Sequence, residues 1–299
     1  MKNLVRNLNK YKYPYIFLAP AIIVLLIFSI VPIFLSVGIS FTDMNIKGLA
    51  NFNNIDFIGI SNYIELFQDK DFTQAILNTV FYVVVGVPFV VLLSLTAALL
   101  INYGTSKIFS FFRVVYYAPA VTNIVAVAVV WGFLYNTNYG LLNTILNGVG
   151  IDGLRWLQDP LLAKVSLVIL AVWRAIGLNM LIFLAALKGI PKSYYEAAKI
   201  DGAKKFQCLR YITLPQLRFS TFFVTITTLI GWIQFFEEPM IMTEGGPLGQ
   251  TNSMALFIYQ NGFKQSQFGY AAAGSFILFL IIIIVTLIQF RMNKENVWE

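Results

Sequence analysis

Four stretches of this chain contain no Asp, Glu, Lys or Arg: Tyr13 to Thr42, Phe72 to Ser106, Val114 to Ile151 and Gln265 to Phe290. A hydrocarbon core about 30 Å thick asks for roughly 20 predominantly apolar residues in helical form, and each run exceeds that. Two further apolar stretches are long enough but less clean. One, from about Ala163 to Leu187, carries Arg174; the other, from about Phe219 to Phe236, ends at Glu237 and Glu238. Backbone polar groups inside lipid must find partners within the protein, which leaves only helices and closed barrels. The runs lack the period-two alternation of a barrel wall, so the chain is expected to be an all-α polytopic membrane protein with six transmembrane helices. A mean hydropathy of +0.74 over 299 residues excludes an ordinary soluble domain.

The basic residues orient the spans. Lys2, Arg6, Lys10 and Lys12 precede the first, Lys107 and Arg113 flank the second connection, and Lys188, Lys192, Lys199, Lys204, Lys205, Arg210 and Arg218 lie between the fourth and fifth; Arg291 and Lys294 follow the last. The alternate loops carry few cations and most of the carboxylates. The positive-inside rule places both termini in the cytoplasm and accounts for the formal charge of +7 without a nucleic-acid partner. The first apolar run is too long for a cleaved signal peptide and is kept as a span. Cys208 is the single cysteine, so no disulfide forms within one chain, and the absence of histidine removes the commonest metal ligand and general base.

One cytoplasmic segment, SYYEAAKIDGAKKFQCLRYITLP from Ser193 to Pro215, collects charge, small side chains and helix punctuation. Ser193 and Glu196 have the spacing of a capping box that starts a helix. Asp201 and Gly202 interrupt it, and a second piece from Phe206 to Leu214 is expected to stop before Pro215. Ala197, Ala198, Gly202 and Ala203 offer little bulk, so a partner's groove can approach the backbone while Glu196 and Asp201 supply charge. Two readings fit: a docking knob, or an amphipathic interfacial helix that caps the bundle.

The order of residues favours the first. Glu196, Ala197, Ala198, Asp201, Gly202 and Ala203, followed by Phe206 and by Ile212, Leu214 and Pro215, resemble the cytoplasmic loop of binding-protein-dependent ABC importer permeases. Further stretches resemble the carbohydrate-uptake branch of that family: Gly59 to Thr79, Arg113 to Ala120, Trp131 to Asn143, Trp156 to Pro160, and Phe236 to Pro247 with Glu237 where the usual residue is Asp. The start of the chain is similar to the first of two permease subunits, the type related to the glycerol-phosphate and maltose permeases. The resemblance implies a type I importer architecture, one permease domain over 1–299, and a coupling loop at about 188–218. It also implies a second homologous permease subunit, two copies of a cytoplasmic ABC ATPase that binds ATP and Mg, an extracellular or periplasmic solute-binding protein, and a bacterial cell membrane as the location. The chain itself has no G-x-x-x-x-G-K-[ST] phosphate loop and no Gly-Lys dipeptide, so it is read as a transport subunit rather than an enzyme, with no cofactor of its own.

Polar residues inside the spans are the candidates for a solute path: Arg174, Asn179, Thr225, Thr228, Trp232, Gln234 and Glu237, with Trp232 as an aromatic platform for a sugar ring. Arg174 is expected to face a cavity, a partner chain or a carboxylate, or else to be a structural cation bound to backbone carbonyls; a uronate or phosphate solute would suit it. Threonines in spans also bond to backbone, and Asn78 and Asn123 are read as amides that lock helix pairs. Gly245, Gly246 and Pro247, with Asn62 and Tyr63, are either contacts for the binding protein or, for the glycines and proline, a tight turn. The competing function is a self-sufficient secondary carrier or channel, for which more intramembrane ionisable groups and repeated halves are expected.

Overall fold

The structure, a computed structural model, describes residues 12–104 and 107–297. Lys2, Arg6, Lys10 and Ser106 lie outside the described residues. In chain order the helices are α1 (Lys12–Leu25), α2 (Val31–Ile39), α3 (Ile46–Ala50), α4 (Ser61–Gln68), α5 (Lys70–Asn102), α6 (Lys107–Val121), α7 (Ile124–Leu134), α8 (Leu141–Gly148) and α9 (Pro160–Gly189). There follow α10 (Lys192–Ile200), α11 (Lys205–Cys208), α12 (Leu214–Gln216), α13 (Arg218–Ile233), α14 (Glu237–Met242), α15 (Met254–Tyr259) and α16 (Phe268–Val297). No strand occurs among the described residues, which hold only isolated bridges between Thr42 and Phe57 and between Asn45 and Gln267.

Among the described residues five stretches are long and apolar enough to cross a membrane: Tyr15–Ile39, Lys70–Asn102, Pro160–Gly189, Arg218–Met242 and Phe268–Met292. The sixth is broken, because Lys107–Val121 and Ile124–Leu134 meet at 101°. The charge-free run from Val114 to Ile151 is therefore not one straight span. The chain bends at Thr122, and Asn123 restarts it as the N-cap of α7, its side chain accepting from Val125 N–H at 2.8 Å. Asn123 is exposed and does not lock a helix pair.

Two prolines are accommodated by the same device. A proline inside a helix has no N–H to give and its ring collides with the carbonyl four residues back. Ahead of Pro32 the chain forms a π-turn at Leu26–Ile30, and ahead of Pro215 another at Leu209–Thr213; Val31 N–H bonds to Leu26 and Leu214 N–H to Leu209, one residue farther than in an α-helix. The extra residue moves the offending carbonyl aside, so the helix continues. This corrects the expectation of a stop before Pro215: the helical path runs on through Gln216.

The chain divides into two compact units, Met1–Leu66 with Ile258–Ile277, and Phe67–Phe257 with Leu278–Glu299. In the first, Asn62 is buried and donates to the carbonyls of Ser40 at 2.8 Å and Thr42 at 2.9 Å, while Ser40 and Tyr63 hydroxyls pair at 2.6 Å. Asn62 is thus spent inside the fold and is no surface contact. The apolar window of Tyr15–Ile39 has none of its residues buried, as a lipid-facing or partner-facing helix requires.

The second unit is built on α5, α9 and α13. Asp69 and Asp159 cap the two long helices, each carboxylate accepting from amides two and three residues on. Ala97, Ala98 and Ile101 of α5 pack with Met180, Phe183, Leu184 and Leu187 of α9 and with Val224 of α13. Toward the other end Tyr82, Val87 and Val90 meet Leu167, Val168, Ala171 and Val172, closed by Trp232 and Phe235. Gly86 makes that closure possible, because a Cβ there would sit 2.0 Å from the Trp232 ring. Asn78, fully buried, donates to the carbonyls of Gly249 at 3.0 Å and Asn252 at 2.8 Å, so it fastens α5 to a loop rather than to another helix.

Candidate functional site

Within the second unit, the break between α13 and α14 turns the chain back toward α9 and leaves a cavity of about 570 Å³. Its walls bring together Arg174 and Asn179 of α9, Thr228 and Trp232 of α13, Gln234 in the break, and Glu237 with Glu238 at the start of α14. Arg174 faces both the cavity and two carboxylates. Its Nη1 lies 2.6 Å from Glu238 Oε1 and 3.3 Å from Glu237 Oε2, and its Nη2 lies 3.4 Å from the same Glu237 oxygen. The Glu238 side chain is 8% exposed and that of Glu237 54% exposed, so one carboxylate anchors the guanidinium and the other looks outward. The pairing offsets the charge of an intramembrane guanidinium through Nη1 and Nη2, while its buried Nε has no hydrogen-bond partner among the described residues. A uronate or phosphate would meet this cation already paired with two carboxylates.

Other polar groups in the cavity differ in what they have left to offer. Asn179 donates to the Ala175 carbonyl at 3.0 Å and keeps its oxygen. Thr228 is 8% exposed, and its buried hydroxyl has no hydrogen-bond partner among the described residues. Trp232 is buried, with its ring stacked on Phe235 at 5.1 Å between centroids and 5° between planes, so it presents a fixed aromatic wall. Gln234 is exposed. Thr225 is not among these residues: its hydroxyl donates to Thr221 O at 2.7 Å, and it borders a separate cleft of about 350 Å³ with Arg218, Thr221 and Gln289.

Glu238 is the residue that sequence reasoning missed. It stands at the end of an apolar run, where a carboxylate reads as the edge of a span. The signal was charge balance: a lone arginine in one span and a doublet of glutamates closing the next.

The second candidate site is α10 and its exit. Pro191, extended at φ −59° and ψ 132°, holds the N-cap position, no side chain caps the helix, and Ser193 falls inside it. The Ser193–Glu196 capping box therefore does not form. The exit is a Schellman motif: Ala203 N–H bonds to Ala198 O at 2.9 Å, Gly202 N–H to Lys199 O at 3.1 Å, and Gly202 takes φ +78°. Tyr195 holds the helix from beneath through a 2.9 Å contact between its hydroxyl and that of buried Thr213. Glu196, Ala197, Asp201 and Gly202 are exposed, Ala198 and Ala203 half-buried, and Ile200 is 86% exposed. Phe206 and Tyr211 stand out beside them at 69% and 70%.

Two further segments are rigidly built. Asn143 donates to the carbonyls of Thr137 and Leu154 at 2.9 Å each and accepts from Leu154 N–H at 3.0 Å and Trp156 Nε1 at 2.8 Å. The stretches Trp131–Asn143 and Trp156–Pro160 thereby come together around one amide. Gly246 accepts from the Thr251 hydroxyl at 2.6 Å, and Thr251 accepts from Tyr82 OH through its carbonyl at 3.0 Å, so Gly245–Pro247 belongs to a turn tied to α5.

Comparison with known proteins bears on what these two sites are for. The family profile described as "Binding-protein-dependent transport system inner membrane component" matches residues 58–295. The probable ABC transporter permease protein YurN of Bacillus subtilis is 35% identical over 293 residues, covering 97% of this chain and 98% of its own. The lactose transport system permease protein LacF of Rhizobium radiobacter is 35% identical over 287 residues, covering 94% of each. In structure, a chain of the bacterial alginate ABC transporter, crystallised with an alginate pentasaccharide-bound periplasmic protein, superposes with a TM-score of 0.84 at 23% identity over 97% of this chain and 96% of that one. By its match across residues 58–295 and its likeness to these permeases along nearly the whole chain, the protein belongs to the binding-protein-dependent transport system inner membrane component family.

Proposed function

We propose that this chain is the transmembrane permease subunit of an ATP-driven importer for a sugar or oligosaccharide, taking its solute from an external binding protein. The observation that carries the reading is the pairing of a polar cavity with an exposed, small-residue helix exit in one unit: Arg174, Asn179, Thr228, Trp232, Gln234 and Glu237 line the first, and Glu196, Ala197, Ala198, Asp201, Gly202 and Ala203 form the second. Relatives named for lactose and arabinooligosaccharides support a carbohydrate solute. The coupling loop spans about 188–218 and docks a cytoplasmic ATPase that binds ATP and Mg. A second homologous permease completes the path, each permease carries one ATPase, and both termini lie in the cytoplasm. Thr225 belongs with the inner part of the path rather than with the cavity itself. No observation favours a self-sufficient carrier: Arg174, inside the α9 span, is matched by carboxylates of the same chain.

The test is uptake by the complete transporter in proteoliposomes, with the binding protein outside and ATP inside, against a panel of neutral oligosaccharides. Uptake of at least one of them that stops without ATP is expected. Equal uptake with and without ATP contradicts the reading.

A further inference from the structure

Resting on that reading, we propose that the cavity is charge-selective: Glu237 gives this chain's share of the solute path a net negative charge, so that it passes neutral or ammonium-bearing sugars and rejects uronates and sugar phosphates. The charged residues lining the cavity are Arg174, Glu237 and Glu238, one cation against two carboxylates. Arg174 spends its shortest contact, 2.6 Å, on buried Glu238. Glu237 meets the same guanidinium at 3.3 Å with half its side chain in the open, so its charge is the one an entering solute feels. Its oxygens are strong acceptors of the kind that sugar hydroxyls and ammonium groups satisfy, whereas a carboxylate or phosphate brings only further acceptors. The remaining polar lining fits a polyhydroxylated ligand of no charge: the exposed Gln234 amide can give or take a hydrogen bond and the Asn179 oxygen can take one, beside the flat wall of Trp232. One carboxylate in excess of the cations sets the sign of the potential within a Debye length of about 8 Å, which is on the scale of such a cavity.

The potential is read without knowing the solute. In the complete transporter, with Cys208→Ser as background, Gln234→Cys places a thiol in the cavity; Gly231→Cys, on the same wall with no atom near its missing Cβ, serves if the first variant fails to assemble. The rates of modification by the cationic trimethylammonium-ethyl and the anionic sulfonato-ethyl methanethiosulfonates are compared, each normalised to its rate with a small free thiol. A cation preference on the order of tenfold is expected, falling several-fold on Glu237→Gln. A ratio near one, an anion preference, or a ratio unmoved by Glu237→Gln overturns the proposal, and so does failure of both reagents to reach both thiols. Uptake of digalacturonate by the same proteoliposomes at the rate of a neutral disaccharide overturns it as well. ATP-dependent uptake of a neutral sugar in those preparations stands or falls separately, so loss of the charge inference is distinguishable from loss of the transport reading.

Discussion

A guanidinium in the middle of a membrane-spanning helix costs several kcal/mol unless something meets it. Arg174 stands out in the sequence for that reason alone, and the structure places a carboxylate partner 2.6 Å away on Glu238. Glu238 was signalled only by charge balance, because nothing in a linear sequence says that the chain turns back at Gln234 to Phe236 and brings the second of the following two carboxylates to α9. Removing one member of such a pair leaves the other buried and uncompensated. Arg174→Gln is therefore expected to destabilise the protein by about 3 kcal/mol, and adding Glu238→Gln to it to restore part of that loss, with a coupling energy on the order of 1–3 kcal/mol. A double-mutant cycle of unfolding in detergent measures it; additive effects would show that the two side chains do not interact. Glu237→Gln alone, at a half-exposed position, is expected to change stability by less than about 1 kcal/mol.

At the scale of elements, helix existence was readable from apolar runs and helix punctuation was not. The Ser193–Glu196 spacing fits a capping box, yet Pro191 takes the cap position because its extended backbone leads directly into Lys192. Pro215 reads as a stop, yet a π-turn before it carries the chain through. Gly202 does make the bend its sequence position suggests, since only a residue without a Cβ enters the left-handed region of a Schellman motif without cost. Gly202→Ala should cost about 1–2 kcal/mol locally and loosen the exit of α10, lowering co-purification of the partner ATPase several-fold while the thermal midpoint of the permease falls by only a few degrees. Unchanged ATPase recovery would separate this turn from docking. Gly86 acts differently, as the seat of Trp232, with a Cβ placed 2.0 Å from the ring. Gly86→Ala should displace Trp232 at a cost of about 1–3 kcal/mol and shift its fluorescence, and it should raise the KM for uptake, because the displaced ring narrows the cavity. Wild-type fluorescence together with wild-type KM would contradict that seating.

For the whole molecule, the six spans expected from four charge-free runs and two less clean ones correspond, among the described residues, to five long stretches and one broken pair, and the break at Thr122 is invisible to hydropathy because both limbs are apolar. The polar cavity is partly legible: Arg174 stands out as costly in lipid, Trp232 as an aromatic surface and the helix-five polar residues by their spacing, and the convergence of all but Thr225 follows from the α13–α14 break. What the sequence could not supply is charge sign at the site, since that depends on which carboxylates fold back. The central claim is that α10 and its glycine exit project into the cytoplasm, where a separate ATPase takes hold of them. Ile200, 86% exposed at the end of α10, is the place to ask. With Cys208→Ser as background and Ile200→Cys as reporter, a membrane-impermeant maleimide is applied to intact and to permeabilised cells, with and without the partner ATPase. The account predicts no labelling in intact cells, strong labelling after permeabilisation, and protection when the ATPase is present; labelling from outside intact cells would contradict it.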